Sequence, residues 1–235
     1  MKRVILCFVI VLALAGGASA KIIYYVDKDQ GSNPFPQAMN ELGLAYDTAT
    51  DASDFNTKVG SGDYDLAVLL LQLNFHGSSE YSNLQTFING GGKAILTDFD
   101  MDTTIGSWFG VTYTGVTNTE PVTLTAPFLT AGGVGSSMGL IDPGWITWSM
   151  GMALSGATSG ATFPNGNVAV AYTDTTIVNG MLKDTFEDED QGLQFAKNEL
   201  LHLTEAQVIP EPATLALLGF GLVGLRRVTR RRKRA

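Results

Sequence analysis

The sequence predicts an α/β fold, with a flavodoxin-like parallel sheet that carries helices on both faces. Two observations predict it. In the first hundred residues, short apolar segments alternate with amphipathic segments of helical period, as in chains whose parallel strands are joined by right-handed crossovers. One segment, residues 65–73 (DLAVLLLQL), is apolar almost without interruption, which is typical of a central strand covered on both faces.

The predicted elements follow one another along the chain. Residues 22–27 (IIYYVD) are apolar, β-branched and aromatic, as in a strand. Residues 36–42 (PQAMNEL) form a helix that begins with proline and ends before a glycine. The later elements are a strand at 44–48, a helix from Asp51 or Ser53, the strand within 65–73, a helix at 79–88 ended by glycines 90–92, and a strand at 93–97.

Residues 103–180 lose this alternation, and Gly, Thr, Ser and Asn dominate them. Strand-like pieces occur at 111–113, 121–124 and 168–172. We expect loops and short antiparallel strands here, as a Gly/Thr-rich insertion at the edge of the sheet. The acidic segment 184–190 (DTFEDED) is predicted to be a loop or the first turn of a helix through Leu203, whose dipole its carboxylates would complement.

The N-terminal segment has the features of a secretory signal peptide. Lys2 and Arg3 precede an apolar stretch, and the small-residue run that follows ends in an A-x-A cleavage site formed by Ala18 and Ala20. We therefore expect signal peptidase to remove residues 1–20. Cys7 is the only cysteine, so the mature chain can form no disulfide, thiolate nucleophile or cysteine-ligated metal site.

The C-terminal segment, 208–235, has three ordered parts. Pro210, Glu211 and Pro212 hold an extended, unpaired backbone that a processing enzyme can bind. Residues 213–225 are an apolar transmembrane segment; thirteen residues span about 20 Å as a helix, less than a ~30 Å hydrocarbon core. A basic cluster follows and stays on the cytoplasmic side. Its members are Arg226, Arg227, Arg230, Arg231, Arg232, Lys233 and Arg234.

This tail resembles the PEP-CTERM sorting signal of exported bacterial proteins. The resemblance implies that an exosortase recognises and removes the tail, after transient anchoring in the inner membrane. It also implies delivery to the outer envelope or to an extracellular, exopolysaccharide-rich biofilm matrix. The alternative is an ordinary C-terminal membrane anchor. The segment between, 21–207, is then the exported domain.

The exported domain resembles the class I glutamine amidotransferase-like group. The resemblance rests on YDLAVLLL (64–71), on LQTFINGGGKAILTDFD (84–100) with its GG turn, and on a closing helix GLQFAKNELLHL that carries Asn198. Active members of that group have a nucleophilic Cys on a G-x-C-x-G elbow and a downstream His-Glu pair. This domain has no cysteine, so glutamine hydrolysis by that route does not follow from the shared fold.

The charge of the domain excludes one class of partner. Of 15 basic and 23 acidic residues, the signal peptide and tail hold nine basic residues and Glu211, which leaves 6 basic and 22 acidic residues. A formal charge of −16 argues against nucleic acid as a partner. Such a charge favours solubility and weak attraction of divalent cations.

Three carboxylates follow the predicted strand 93–97, in a D-x-D-x-D run. Asp98, Asp100 and Asp102 have the spacing of the first three ligands of an EF-hand loop. They would lie at the carboxyl edge of the sheet, where ligands usually bind. Thr103 and Phe109 occupy the positions where that loop needs Gly and Glu. The run is therefore either a weak calcium site or a solvated acidic turn.

A second motif suggests a serine nucleophile. Residues 135–139 (GSSMG) match G-x-S-x-G with Ser137 at the centre, and His202 is the only downstream histidine. A nucleophile elbow needs a strand before it and a helix after it. The flanking sequences APFLTAGGV and LIDPGW predict no such helix, so the motif is interpreted as a glycine-rich loop.

The remaining candidates are His76 and the tryptophans. His76 follows the third predicted strand and is interpreted as a turn residue near the sheet edge, since two histidines cannot build a histidine-rich metal site. Trp108, Trp145 and Trp148 would either pack in the core or stack on sugars.

Together these features predict a non-enzymatic exported protein with a structural or binding domain and no cofactor beyond weakly bound calcium. The alternatives are a carboxylate-dependent hydrolase or carbohydrate-acting enzyme that uses Asp98, Asp100 or Asp102, and a calcium-dependent adhesin.

Overall fold

The computed structural model describes residues 20–28, 32–74, 76–99 and 102–204. The predictions made for Ala18, for Asp100, for the sorting motif, and for the apolar and basic parts of the tail lie outside these residues. Within them, no helix is both long and apolar enough to cross a membrane.

Strands in the described ranges form one mixed sheet of eleven members. They are β1 (Ile22–Val26), β2 (Tyr46–Thr48), β3 (Leu66–Leu71), β4 (Lys93–Asp98), β5 (Val111–Val116), β6 (Val122–Leu124), β7 (Ser137–Met138), β8 (Met150–Leu154), β9 (Thr158–Thr162), β10 (Val168–Tyr172) and β11 (Thr176–Asn179). The helices are α1 (Pro34–Glu41), α2 (Ala52–Val59), α3 (Ser82–Asn89), α4 (Thr103–Trp108) and α5 (Glu189–Thr204), with short 3-10 helices at Ser78–Tyr81 and Ala131–Gly133.

One half of the sheet is parallel, as the alternating sequence predicts. Its strand order is β2-β1-β3-β4-β11, and every neighbouring pair is parallel. The order 2-1-3-4 followed by one further strand is that of doubly wound sheets with flavodoxin-like connectivity. The α/β prediction is therefore confirmed, with all four strands predicted in the first hundred residues present.

The other half of the sheet is antiparallel, and it is larger than the loops and short antiparallel edge strands predicted for residues 103–180. From β11 the sheet continues through β10, β9, β6 and β7, while β8 pairs with both β10 and β5. The Gly/Thr-rich insertion therefore supplies more than edge decoration, because it extends the sheet and then returns to insert β11 beside β4. Helix α4 was also not predicted, because its sequence TTIGSW has no amphipathic pattern.

Helices cover both faces of the parallel half. All six residues of β3 are buried, and they alternate between two clusters of core residues. Leu66, Val68 and Leu70 pack on the face of α1 and α5, whereas the intervening residues pack on the face of α2, α3 and α4. Full burial of one such leucine contributes about 1.5–3 kcal/mol. This packing confirms that 65–73 contains a central strand covered on both sides.

Candidate functional site

The carboxyl ends of the parallel strands bring together side chains that are far apart in sequence. Asp27 directly follows β1, Gln72 follows β3, Asp98 ends β4 and Asn179 ends β11. In open α/β sheets this edge is the usual position of ligands. A functional site is therefore expected at this edge.

Asp27 is committed to holding the loop after β3. One carboxylate oxygen, Oδ1, accepts the backbone N–H groups of Lys28 and Gln72, each at 2.7 Å. The other, Oδ2, accepts those of Leu73 at 2.9 Å and Asn74 at 2.6 Å. The side chain has no exposed surface. Because its two oxygens accept four backbone N–H groups, this carboxylate has a structural role. The sequence analysis did not predict it.

Asp98 lies in a polar cluster with two tyrosines, the buried Tyr81 and the partly buried Tyr113. It is only 2 % exposed. Burial raises the pKa of Tyr81, and the charges of nearby groups, Asp98 among them, raise it further. Burial likewise raises the pKa of Tyr113, with added contributions from Asp98 and Asp102. Neither tyrosine hydroxyl has a hydrogen-bond partner among the described residues. Asp98 is thus the sequence-predicted carboxylate that the structure places at the centre of the edge.

Asp102 caps α4. Its Oδ1 accepts the N–H groups of Thr104 at 2.7 Å and Ile105 at 3.1 Å, and its Oδ2 accepts that of Ser78 at 3.1 Å. Burial acts to raise the pKa of Asp102, but these backbone hydrogen bonds outweigh it and the pKa is lowered. An N-cap of this kind ties α4 to the 3-10 helix beside it.

The calcium interpretation of the D-x-D-x-D run remains a prediction. Asp98 and Asp102 occupy different environments, one inside the polar cluster and the other at a helix terminus. Across the described ranges, no group of three or more His, Cys, Asp and Glu side chains could hold a metal ion. The position of Asp100, on which the run depends, lies outside those ranges.

His76 lies at the same edge, just before the 3-10 helix. Its Nδ1 is 2.9 Å from Glu80 Oε2, and its Nε2 is 3.9 Å from Asp27 Oδ2. The ring meets Tyr81 edge-on, with 5.7 Å between centroids. These contacts place it as a turn residue beside the polar cluster.

A buried lysine–glutamate contact lies between the sheet and α5, and the sequence prediction missed it. Lys183 Nζ is 3.1 Å from Glu199 Oε2, and both side chains are fully buried. Burial lowers the pKa of Lys183 and raises that of Glu199, with their mutual attraction opposing both changes. A signal was present, because Phe195, Glu199 and Leu203 recur at helical spacing on the buried stripe of α5.

Asn198, which carries part of the resemblance to the amidotransferase-like group, has a structural role. Its Nδ2 donates to the carbonyl oxygens of Leu129 at 3.1 Å and Ala131 at 2.9 Å. Its Oδ1 accepts from Gln194 at 2.9 Å. The amide therefore fastens the closing helix to the insertion.

The G-x-S-x-G motif does not form a nucleophile elbow. Ser137 is exposed on the two-residue strand β7, and residues 139–188 contain no helix. His202 instead stacks on Phe128, with 3.9 Å between ring centroids, and meets Tyr172 edge-on. Burial is the main cause that lowers its pKa. No hydrogen bond joins Ser137 to His202, which agrees with the glycine-rich-loop interpretation.

The tryptophans differ in environment. Trp148 is buried in the core at 3 % exposure, whereas Trp145 is partly buried against the same core cluster. Trp108, at the end of α4, packs against the opposite cluster. All three thus contribute to packing.

An open polar groove of about 560 Å³ lies beside α1 and α5. Gln37 and Glu41 of α1 line one side, and Asp190, Gln191, Gln194 and Lys197 of α5 line the other. An ion pair between Lys197 and Glu41 crosses it. This groove is an accessible concave surface among the described residues.

Comparison with known proteins identifies the tail. Residues 208–233 match the family model of the PEP-CTERM protein-sorting motif. This confirms the resemblance on which the sorting prediction rests, and the motif implies an exported protein that an exosortase processes after transient membrane anchoring. No curated protein is significantly similar to the chain.

Solved structures share the fold of the domain at low sequence identity. A Thermoplasma acidophilum protein named as a GMP synthase subunit has a TM-score of 0.56 at 13% identity, covering 83% of this chain and 100% of that chain. The N-terminal domain of mmIFT52 has 0.56 at 10%, covering 80% and 99%. A glutamine amidotransferase from Thermotoga maritima has 0.52 at 10%, covering 83% and 100%. The amidotransferase-like fold is therefore confirmed, and these identities carry no activity with it.

Proposed function

We propose that this chain is an exported protein of the outer envelope or the extracellular matrix, whose α/β domain has a structural or binding role and no catalytic one. The sorting motif at 208–233 carries the first part of the proposal. Exopolysaccharide of a biofilm matrix is the partner we infer, with signal peptidase and exosortase as processing enzymes.

The hydrogen bonds and burial of the side chains at the carboxyl edge and in the core support a non-catalytic domain. Asp27 and Asp102 accept backbone N–H groups at both carboxylate oxygens. Glu199 is fully buried in contact with Lys183. General acid–base catalysis needs a group within hydrogen-bond reach of the substrate. Groups already bound to the backbone or excluded from solvent do not meet that need.

Intact mass of the protein from its native producer tests the sorting route. A mature chain that begins at Lys21 and ends near Pro210 supports the proposal. A Glu211→Ala variant should keep the basic end, whereas a Glu205→Ala variant, outside the triplet, should be processed normally. Retention of the basic end in the native chain would instead mean a permanent membrane anchor.

One observation favours an enzymatic alternative. Asp98 lies at the carboxyl edge near the buried Tyr81 and the partly buried Tyr113, where a hydrolase or other carbohydrate-acting enzyme would place a carboxylate. Polysaccharide hydrolysis by the purified chain, abolished in Asp98→Asn and retained in the exposed control Asp63→Asn, would replace the non-catalytic proposal. Any activity that survives Asp98→Asn and Asp100→Asn removes this alternative.

Calorimetry with and without calcium tests the alternative of a calcium-dependent adhesin. A ligand that binds only the folded state at a hundred times its Kd stabilises that state by about 2.7 kcal/mol. Thermal unfolding that is unchanged by millimolar calcium would exclude it.

A further inference from the structure

Lys183 and Glu199 take no part in the proposed binding role, yet they lie in close contact inside the core. Lys183 Nζ and Glu199 Oε2 are 3.1 Å apart, and neither side chain has exposed surface. Lys183 belongs to the connection between β11 and α5, and Glu199 lies on the buried stripe of α5, sixteen residues further along the chain.

The surroundings satisfy a neutral amine and acid better than two ions. An ammonium has three N–H donors, and the described residues offer Lys183 one acceptor, Glu199. The rings of Phe35, Phe186 and Phe195 surround the nitrogen, with centroids 5.5, 5.7 and 4.6 Å away. Glu199 Oε1 accepts no hydrogen bond within the described ranges.

Cation–π attraction favours the ammonium, but an incompletely hydrogen-bonded ion pair pays a large desolvation cost. Burial is accordingly the largest influence on both groups, lowering the pKa of Lys183 and raising that of Glu199. An uncharged amine is a nucleophile, and a protonated carboxyl group can lose water.

We propose that Lys183 and Glu199 condense to an intramolecular amide bond. The lone pair of Nζ attacks Cδ of the protonated carboxyl group, and a new Nζ–Cδ bond forms. The Cδ–O bond to the hydroxyl then breaks, and that oxygen leaves as water with its own proton and one proton from Nζ. The reaction changes no oxidation state and needs no co-reactant.

The two reacting groups are already in contact, with Lys183 Nζ 3.1 Å from Glu199 Oε2. Reacting groups held about 3–3.5 Å apart gain an effective concentration far above any in solution. Asn179, at the end of β11, acts to lower the pKa of Glu199 and so opposes part of the rise caused by burial. The enclosing aromatic rings exclude the water that would reverse the reaction.

The bond would fasten α5, the helix that leads to the sorting tail, to the connection that follows β11. The mature chain has no cysteine with which to form a disulfide. An amide bond would give an exported domain a covalent cross-link that reducing agents do not cleave.

Intact mass of the full chain, purified folded and then denatured, tests this inference. We expect a mass one water molecule below that of the sequence, and a branched tryptic peptide that joins Lys183 to Glu199 with no cleavage after Lys183. A Lys183→Met variant should have the full mass expected for its sequence. The matched control Lys28→Met, at an exposed lysine, should still lose one water.

The full sequence mass in wild-type chain that circular dichroism shows to be folded, unchanged after prolonged incubation, would overturn the inference. So would a water loss that maps to other residues or persists in Lys183→Met. Because the wild-type mass is decisive by itself, the test stands even where the variant fails to fold.

Discussion

Replacing Asp27 with Asn should destabilise the domain strongly while leaving the side chain almost the same size. Asp27 accepts four backbone N–H groups, two at each oxygen. Asparagine offers one carbonyl oxygen and an NH₂ group that can only donate. Whichever way the amide is turned, two backbone donors lose their acceptor and face another donor, at a side chain that has no exposed surface of its own.

The magnitude follows from those two lost bonds. A hydrogen bond to a charged group contributes about 1.5–3 kcal/mol, so the substitution should cost roughly 3–6 kcal/mol. The total free energy of unfolding of a native domain is about 5–15 kcal/mol. For a domain of this size, each kcal/mol corresponds to about 2–4 °C in Tm, so we expect Tm to fall by roughly 6–24 °C.

Thermal and urea unfolding followed by circular dichroism measure this loss. Asp63→Asn makes the same chemical change at an exposed carboxylate and should stay within about 0.5 kcal/mol of wild type. If Asp27→Asn lowers the free energy of unfolding by less than about 1 kcal/mol, the four-bond account of this carboxylate is wrong.

Three further predictions concern packing and titration. Gly180→Ala should cost about 1–3 kcal/mol or more, because a Cβ would overlap a backbone carbonyl oxygen of β8; Gly77→Ala, which meets only ordinary contact, should be nearly neutral in urea unfolding. In the Lys183→Met variant, Glu199 is buried without Lys183, so its folded-state pKa stays above the ordinary 4.5. The free energy of unfolding of this variant should therefore fall as pH rises above about 4.5, by up to about 1.4 kcal/mol per pH unit. A loss of stability that does not depend on pH would contradict this. Burial lowers the pKa of His202 below its ordinary 6.5, so wild type should lose stability as pH falls below about 6.5, and His202→Phe should remove that part of the pH dependence; parallel pH profiles of the two proteins would refute the assignment.

The sequence predicts β3 and misses β11 for physical reasons. β3 is a six-residue apolar run that is buried on both faces, and its composition alone indicates a central strand. β11 is only four residues, TIVN, after a turn held by the Thr173 hydroxyl. Its place beside β4 depends on the antiparallel excursion that precedes it, and no local pattern encodes that return.

Site residues show a different limit. An N-cap and a calcium ligand both require a carboxylate at a loop position, so Asp102 fits either role in sequence, and its three backbone donors show only in the structure. Lys183 adjoins the acidic run DTFEDED, which is typical of a solvated face. It turns inward because Glu199 occupies the buried stripe of α5, a pairing that only the packed helix creates.

Two carboxylates at the carboxyl edge of the sheet have structural roles. The amidotransferase-like sheet brings polar side chains from β1, β3, β4 and β11 to one edge, where a catalytic site needs accessible groups with spare hydrogen-bonding capacity. Here Asp27 and Asp102 hold backbone, and Asp98 is only 2 % exposed. A substrate would have to open the edge to reach Asp98, and opening would break the contacts of its neighbours. We therefore infer that Asp27 and Asp102 stabilise the domain, and that the open groove beside α1 and α5 is a surface on which a matrix partner should be sought.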